Sequence, residues 1–142
     1  MAAARFNHVG QCVTDLERSR RFYVEAFGFE VARELHPPDQ GSDRLLRLPA
    51  PVGMTAVYLK RDDFILELLH FADAGVVAGE ERVVNKPGLT HVSLSVDDLD
   101  ASLAAVEAHG GEVLTDTHIG VAVFVKDADG QLLELLTNWD KP

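Results

Sequence analysis

The sequence contains an internal repeat, which restricts the possible folds more than any other feature. The segment at 88–100 aligns without a gap on the segment at 6–17, which places His91 on His8 and Asp98 on Asp15. In both copies a histidine begins an apolar run, and an Asp-Leu pair follows seven residues after the histidine. A chain of 142 residues is close to the usual size of one domain. The repeat therefore predicts one domain built from two fused half-domains.

Composition excludes several functional classes. The formal net charge is −10, and the 13 Lys and Arg residues are scattered, so we expect no nucleic-acid partner. No apolar run approaches the roughly 18 residues of a membrane span, and no signal peptide is recognisable, so we expect no membrane role. Cys12 is the single cysteine and cannot form an internal disulfide. These features are typical of a cytoplasmic protein.

Hydrophobic patterning and turn residues predict the order β-α-β-β-β in each half. We assign module one to about 5–71, a linker to 72–87 and module two to about 88–137, within a single domain covering 1–142. The fold class is thus α+β, with two tandem βαβββ modules. The first half has about sixteen additional residues around 37–53, where the pattern predicts roughly one extra strand near 44–48. Two more strands are predicted at 112–117 and 119–126.

Aligning the ends of the two halves places Glu67 on Glu134. Each half then offers one histidine on its first strand, His8 or His91, and one glutamate on its last. Leucines flank both glutamates, and a buried carboxylate needs a compensating charge. Two neutral imidazoles and two carboxylates would hold a divalent cation with zero net site charge. Taken singly, a structural histidine and an edge-strand glutamate are the simpler interpretations, but the recurrence of the pair in both halves favours a metal site.

Four segments together resemble the vicinal oxygen chelate superfamily, and most closely its glyoxalase-like members. They are HVGQCVTDLERSRRFYVEAFGF at 8–29, LELL at 66–69, GLTH at 88–91 and DADGQLLE at 127–134. The resemblance implies that the strands of both modules curl into a half-barrel cleft around one divalent metal ion (Zn, Ni, Co, Mn or Fe). The implied metal ligands are His8, Glu67, His91 and Glu134. It also implies a homodimer.

The His/Glu/His/Glu set is similar to that of glyoxalase I and of methylmalonyl-CoA epimerases. The resemblance therefore implies a metal-dependent lyase or isomerase that enolises a small-molecule carbonyl substrate, with Glu67 or Glu134 as the catalytic base. Bacterial glutathione-dependent glyoxalases carry an arginine four residues after the first histidine and an asparagine four residues after the first glutamate. This chain has Cys12 and Phe71 there, and a thiol cannot replace a guanidinium that binds a carboxylate. We therefore expect a substrate other than a glutathione adduct.

Two alternatives belong to other functional classes. One is a metal-free protein that sequesters a drug, like the bleomycin-resistance members of the superfamily. The other is an Fe(II) extradiol dioxygenase, a class that uses two histidines and one glutamate, so a fourth ligand at Glu67 counts against it. The repeat permits the site to form within one chain or between two chains.

Overall fold

The computed structural model describes residues 2–137 and divides into two compact units. The first unit comprises residues up to Val24 together with Gly28–Val77. The second comprises Glu25–Phe27 and the residues from Ala78 onward. Among the residues from 2 to 137, no helix is both long enough and apolar enough to cross a membrane.

The first module contains, in chain order, β1 (Val9–Cys12), α1 (Leu16–Arg21) with a following π-helical turn (Phe22–Ala26), β2 (Glu30–Leu35), α2 (Asp39–Leu46), β3 (Met54–Arg61) and β4 (Phe64–Phe71). Its four strands form a sheet with the order β1-β4-β3-β2. Strand β1 is parallel to β4, whereas β3 is antiparallel to both of its neighbours.

The second module contains β5 (His91–Ser95), α3 (Leu99–Ala108), β6 (Glu112–Val113), a 3-10 turn (Thr115–Thr117), β7 (Ala122–Lys126) and β8 (Leu132–Leu136). Its strands form a second sheet with the order β5-β8-β7-β6, which repeats the topology of the first. Strands β5 and β8 are parallel, as β1 and β4 are. The α+β class with two βαβββ modules is therefore confirmed, and neither sheet closes into a barrel within the described residues.

Strand alternation decides which side chains enter the core of the first unit. Leu66 and Leu68 on β4 are almost completely buried, as are Phe22 and Tyr23 from the helical segment. The rings of Phe22 and Tyr23 meet edge to face, with centroids 5.1 Å apart. Because neighbouring strand residues point to opposite faces, Glu67 projects from the face of the sheet opposite to these leucines.

The predicted extra strand near 44–48 is wrong, since residues 44–46 end helix α2 and Arg47 caps the helix in the left-handed conformation. The Ser42 hydroxyl donates a hydrogen bond to the Pro38 carbonyl, 2.7 Å away, in the first turn of the helix. The Asp39 carboxylate accepts hydrogen bonds from the backbone N–H groups of Val52 and Gly53, at 3.0 and 3.1 Å. Gln40 and Gly41 have non-helical dihedral angles and kink the element after Asp39. The start of the element is thus tied to residues 13 and 14 positions away, which local patterning does not indicate.

The predicted strand at 112–117 is also too long, because only Glu112–Val113 pairs with β7. The chain then forms the 3-10 turn, in which the Thr117 hydroxyl donates to the Leu114 carbonyl at 2.7 Å and accepts from the Phe124 N–H at 2.9 Å. The following strand begins at Ala122, three residues later than expected. The Thr117 side chain therefore adds hydrogen bonds that favour a turn over a continued strand, while the Leu114 N–H still donates to the Phe124 carbonyl at 3.0 Å.

Candidate metal centre

In the first unit, the sheet brings His8 and Glu67 together. His8 lies directly before β1, and Gly10 on β1 pairs in register with Glu67 on the adjacent parallel strand β4. The His8 Nε2 atom is 3.4 Å from Glu67 Oε1. The Glu67 side chain is only 9 % exposed, so its charge needs a partner within the protein.

Tyr58 is a close neighbour of this carboxylate, since it lies directly opposite Glu67 in the β3/β4 ladder. The Glu67 carboxylate, as a hydrogen-bond acceptor for the phenol and as a negative charge, acts together with burial to raise the pKa of Tyr58 to about 12, while Arg33 acts in the opposite direction. The His8 ring meets the Tyr58 ring edge to face, with centroids 5.4 Å apart. Tyr58 therefore contacts both candidate ligands of this unit.

The second unit contains the equivalent pair. The His91 Nε2 atom is 3.7 Å from Glu134 Oε1. Phe124 lies opposite Glu134 in the β7/β8 ladder, where the first unit has Tyr58, and its ring centroid is 5.1 Å from that of His91. A hydroxyl comes instead from Ser93, which donates a hydrogen bond of 2.8 Å to Glu134 Oε1. The two glutamates thus have different neighbours, because Tyr58 lies opposite Glu67 whereas the Ser93 hydroxyl donates to Glu134.

The second ring nitrogen of each histidine has a partner in the preceding residue. His8 Nδ1 is hydrogen-bonded to the Asn7 side-chain oxygen, and His91 Nδ1 lies 2.8 Å from the Thr90 hydroxyl. A tautomer protonated at Nδ1 leaves the Nε2 lone pair directed toward the glutamate. Metal-binding histidines commonly have this outer hydrogen bond, which fixes the ring. Each histidine thus has its Nδ1 atom occupied and its Nε2 atom facing a carboxylate, as in one half of a metal site.

The structure brings the four predicted ligands together as two pairs, one pair in each unit. Between residues 2 and 137, no group of three or more His, Cys, Asp or Glu side chains is positioned to hold a metal ion. Each unit by itself offers one nitrogen and one carboxylate donor. The complete four-ligand set stays a prediction.

A family model described as the Glyoxalase/Bleomycin resistance protein/Dioxygenase superfamily matches residues 5–135. The chain belongs to this superfamily. The predicted resemblance to the vicinal oxygen chelate proteins is thereby confirmed, because this is the same group of folds.

Named relatives within the superfamily are distant in sequence. The chain is 28 % identical to a lactoylglutathione lyase of Arabidopsis thaliana over 97 % of its own length, but it spans only 46 % of that protein. It is 26 % identical to the human mitochondrial methylmalonyl-CoA epimerase, with 92 % of this chain and 72 % of that protein covered.

Among solved structures, a glyoxalase family protein from Bacillus cereus matches with a TM-score of 0.81 at 19 % sequence identity. The match covers 96 % of this chain and 95 % of that one. At this level of identity the similarity establishes the shared fold.

Sequence analysis missed Tyr58 and Ser93. A signal for Tyr58 was present, because AVYLK at 56–60 and AVFVK at 122–126 form a further copy of the internal repeat. Comparing these segments places Tyr58 on Phe124 and marks the tyrosine hydroxyl as a difference between the modules. The alignment of the first strands likewise places Ser93 on Gly10. Their contact with the glutamates, however, depends on the cross-strand register.

Cys12 and Phe71, the two departures from the glutathione-dependent pattern, lie on the same face of the first sheet as Glu67. Cys12 pairs with Leu69, two positions beyond Glu67 on β4, and Phe71 is the next residue of that strand on the same face. Cys12 is exposed. This part of the face therefore presents weakly polar and aromatic side chains beside the carboxylate.

Proposed function

We propose that the protein is a divalent-metal-dependent lyase or isomerase that enolises a small carbonyl compound. The observation that carries the proposal is the repeated pair of a histidine Nε2 facing a glutamate oxygen, at 3.4 Å in one unit and 3.7 Å in the other. The lyase and epimerase names of the two relatives above agree with it. The chain spans about half of the plant relative, so the activity of that whole protein is not assigned to this chain.

We propose that His8, Glu67, His91 and Glu134 are the ligands of one cation, which is Zn, Ni, Co, Mn or Fe. When bound, such an ion would polarise a carbonyl oxygen and stabilise negative charge there. Glu67 or Glu134 would take the proton from the adjacent carbon and return it, since a carboxylate near the reacting carbon is suited to this transfer.

The substrate we propose is not a glutathione adduct. The Cys12 and Phe71 side chains beside Glu67 offer no charged or amide group to bind the glutathione peptide. They suit an apolar substrate group, or a thioester whose polar portion binds elsewhere. A partly apolar carbonyl compound is therefore the substrate class that these residues favour.

Metal analysis of untagged protein, purified without added metal, tests the proposal. We expect about one equivalent of a divalent transition metal per chain. Substitution of Glu67→Gln should lower the metal content and slow solvent-deuterium exchange into candidate thioesters and thiohemiacetals, because the carboxylate charge is lost. Glu17→Gln, at an exposed glutamate that pairs with Arg20, is the matched control and should leave both measurements unchanged.

Different results would support the alternatives. Protein that contains no metal and binds none when it is added would indicate a ligand-sequestering protein. Oxygen uptake with catechols in the presence of Fe(II) would indicate a dioxygenase. Either outcome would overturn the proposed enolising activity.

A further inference from the structure

We propose that Arg33 binds an anionic group of the substrate, either a carboxylate or a phosphate. This inference deepens the proposed function and rests on it, because it states which polar substituent the carbonyl compound carries. Cys12 and Phe71 offer no charged group to the polar portion of a substrate. Arg33 provides one on the same face of the first sheet.

An extra residue in the edge strand β2 determines the direction of the Arg33 side chain. Ala32 is the additional residue at a register shift in the β2/β3 ladder, and Arg33 therefore lies opposite Tyr58. In an uninterrupted ladder Arg33 would lie opposite Val57, which is buried in the core. Such bulges are common at sheet edges and next to functional sites, where they redirect a side chain. The bulge thus places Arg33 on the face that carries Glu67, because residues opposite each other in a ladder share a face.

Arg33 is the last member of a row of residues that crosses all four strands of the first sheet. Gly10, Glu67, Tyr58 and Arg33 lie opposite one another in succession on β1, β4, β3 and β2. Since neighbouring strands are about 4.8 Å apart, the Cα atoms of Glu67 and Arg33 are separated by about 10 Å. A carbonyl compound held beside Glu67 can therefore extend along this row to the arginine.

The positive charge of Arg33 is not compensated by the acidic residues of its own strand. Its side chain is exposed, and its guanidinium forms no hydrogen bond or ion pair with any residue between 2 and 137. Glu34 Oε1 lies instead 2.9 Å from His36 Nε2, and Glu30 lies opposite Lys60 in the ladder. A planar guanidinium binds a carboxylate or a phosphate through two parallel hydrogen bonds. Arg33 is therefore suited to hold such a group.

The row of Glu134 in the second module ends in an apolar residue. The Leu114 N–H donates a hydrogen bond of 3.0 Å to the carbonyl of Phe124, which lies opposite Glu134. Leu114 is thus the neighbour of Phe124 as Arg33 is the neighbour of Tyr58. The internal repeat does not account for Arg33, and the anion-binding role belongs to the first module.

Titration of the protein as purified with three soluble ketones tests this role. Levulinate carries a carboxylate, acetol phosphate carries a phosphate, and levulinamide is the neutral counterpart of levulinate. The Kd of each ketone is measured by NMR of isotopically labelled protein at low ionic strength. We expect at least one of the two anions to bind at least about fivefold more tightly than levulinamide, as suits a bidentate pair at an exposed arginine. The anion that binds more tightly identifies the group.

Three variants show whether Arg33 causes the preference. Arg33→Gln should raise the Kd of the anion about fivefold and leave that of levulinamide unchanged. Arg33→Lys keeps the charge but not the bidentate geometry, so it should retain part of the preference. The matched control is Arg21→Gln, which removes another exposed arginine. Arg21 lies on α1, and the adjoining Tyr23 bonds to Gln11 on the opposite face of the sheet, so this control should keep the wild-type preference.

Several results would contradict the role of Arg33. They are equal Kd values for the three ketones, no measurable binding of any of them, and a preference that survives Arg33→Gln. An equal loss of preference in Arg21→Gln would also contradict it, because the net charge and not the position of the arginine would then be responsible.

Failure of this inference is distinguishable from failure of the proposed function, because the titrations require neither turnover nor a metal ion. Protein that contains metal and exchanges deuterium, but shows no preference for an anion, overturns only the role of Arg33. A preference that depends on Arg33 in protein that binds no metal overturns the enolising function and supports anion binding by itself.

Discussion

At the scale of single residues, Glu67 and Glu134 occupy equivalent positions but have different surroundings. Glu67 has a tyrosine on one neighbouring strand and a glycine on the other, whereas Glu134 has a phenylalanine and a serine that donates a hydrogen bond to it. The internal repeat places the two carboxylates at equivalent positions but does not distinguish them. The difference arises from the neighbouring strands.

Tyr58 should titrate far above an ordinary tyrosine in the metal-free protein. The Glu67 carboxylate next to its hydroxyl, together with burial, raises its pKa from 10.0 to about 12. Because the folded state keeps this proton longer than the unfolded state, the resulting contribution to stability is complete below pH 10 and is lost as the pH rises from 10 to about 12. Phenolate absorbance in the Tyr23→Phe variant, in which Tyr58 is the only tyrosine, measures this directly. A transition centred at pH 10 would contradict this influence of Glu67.

At the scale of elements, strand pairing brings together the histidine and the glutamate of each candidate ligand pair, and loops hold the strands in place. The segment before β3 is fixed by Asp39, whose carboxylate accepts from the N–H groups of Val52 and Gly53. The Gly53 carbonyl in turn accepts a hydrogen bond of 2.9 Å from the Ala72 N–H, directly after β4. This loop therefore connects helix α2 with both ends of the hairpin that carries Tyr58 and Glu67.

Gly53→Ala should destabilise the protein by about 1–3 kcal/mol. Gly53 has a φ of +64°, and a Cβ atom there would contact the Asp73 side chain and lie 2.9 Å from the Asp73 backbone nitrogen. The positive φ and the close approach of Asp73 both disfavour any residue with a side chain at this position. The measurement is the free energy of unfolding in urea. Gly79→Ala is the control, since its Cβ would meet nothing within 4 Å, and we expect a change below about 0.5 kcal/mol.

At the scale of the whole molecule, the repeat of a βαβββ module gives the chain two sheets with the same strand order and one candidate ligand pair on each. A cation bound by all four side chains would bind the folded state and not the unfolded one, so it would stabilise the protein. The homodimer and the cytoplasmic location stay predictions.

Removal of the metal should therefore lower the melting temperature. A ligand present at about 100 times its Kd adds about 2.7 kcal/mol of stability, which corresponds to a Tm shift of at least about 5 °C for a protein of this size. Calorimetry before and after chelation, followed by readdition of Zn²⁺ or Co²⁺, measures the shift and its reversal. The His8→Ala variant should show little response to chelation. A wild-type Tm that is insensitive to both treatments would contradict a structural contribution of the ion.

The sequence by itself determined the fold class, the βαβββ order of both modules and the pairing of each histidine with a glutamate. It could do so because these features repeat, and because hydrophobic periodicity and turn residues are local signals. Only the tertiary structure decided that a kinked helix ending at Leu46 stands where a strand is predicted, since the Asp39 carboxylate at its start binds loop residues far along the chain. It also decided that Tyr58 lies opposite Glu67 and that Ser93 donates to Glu134, because these contacts depend on the register between paired strands.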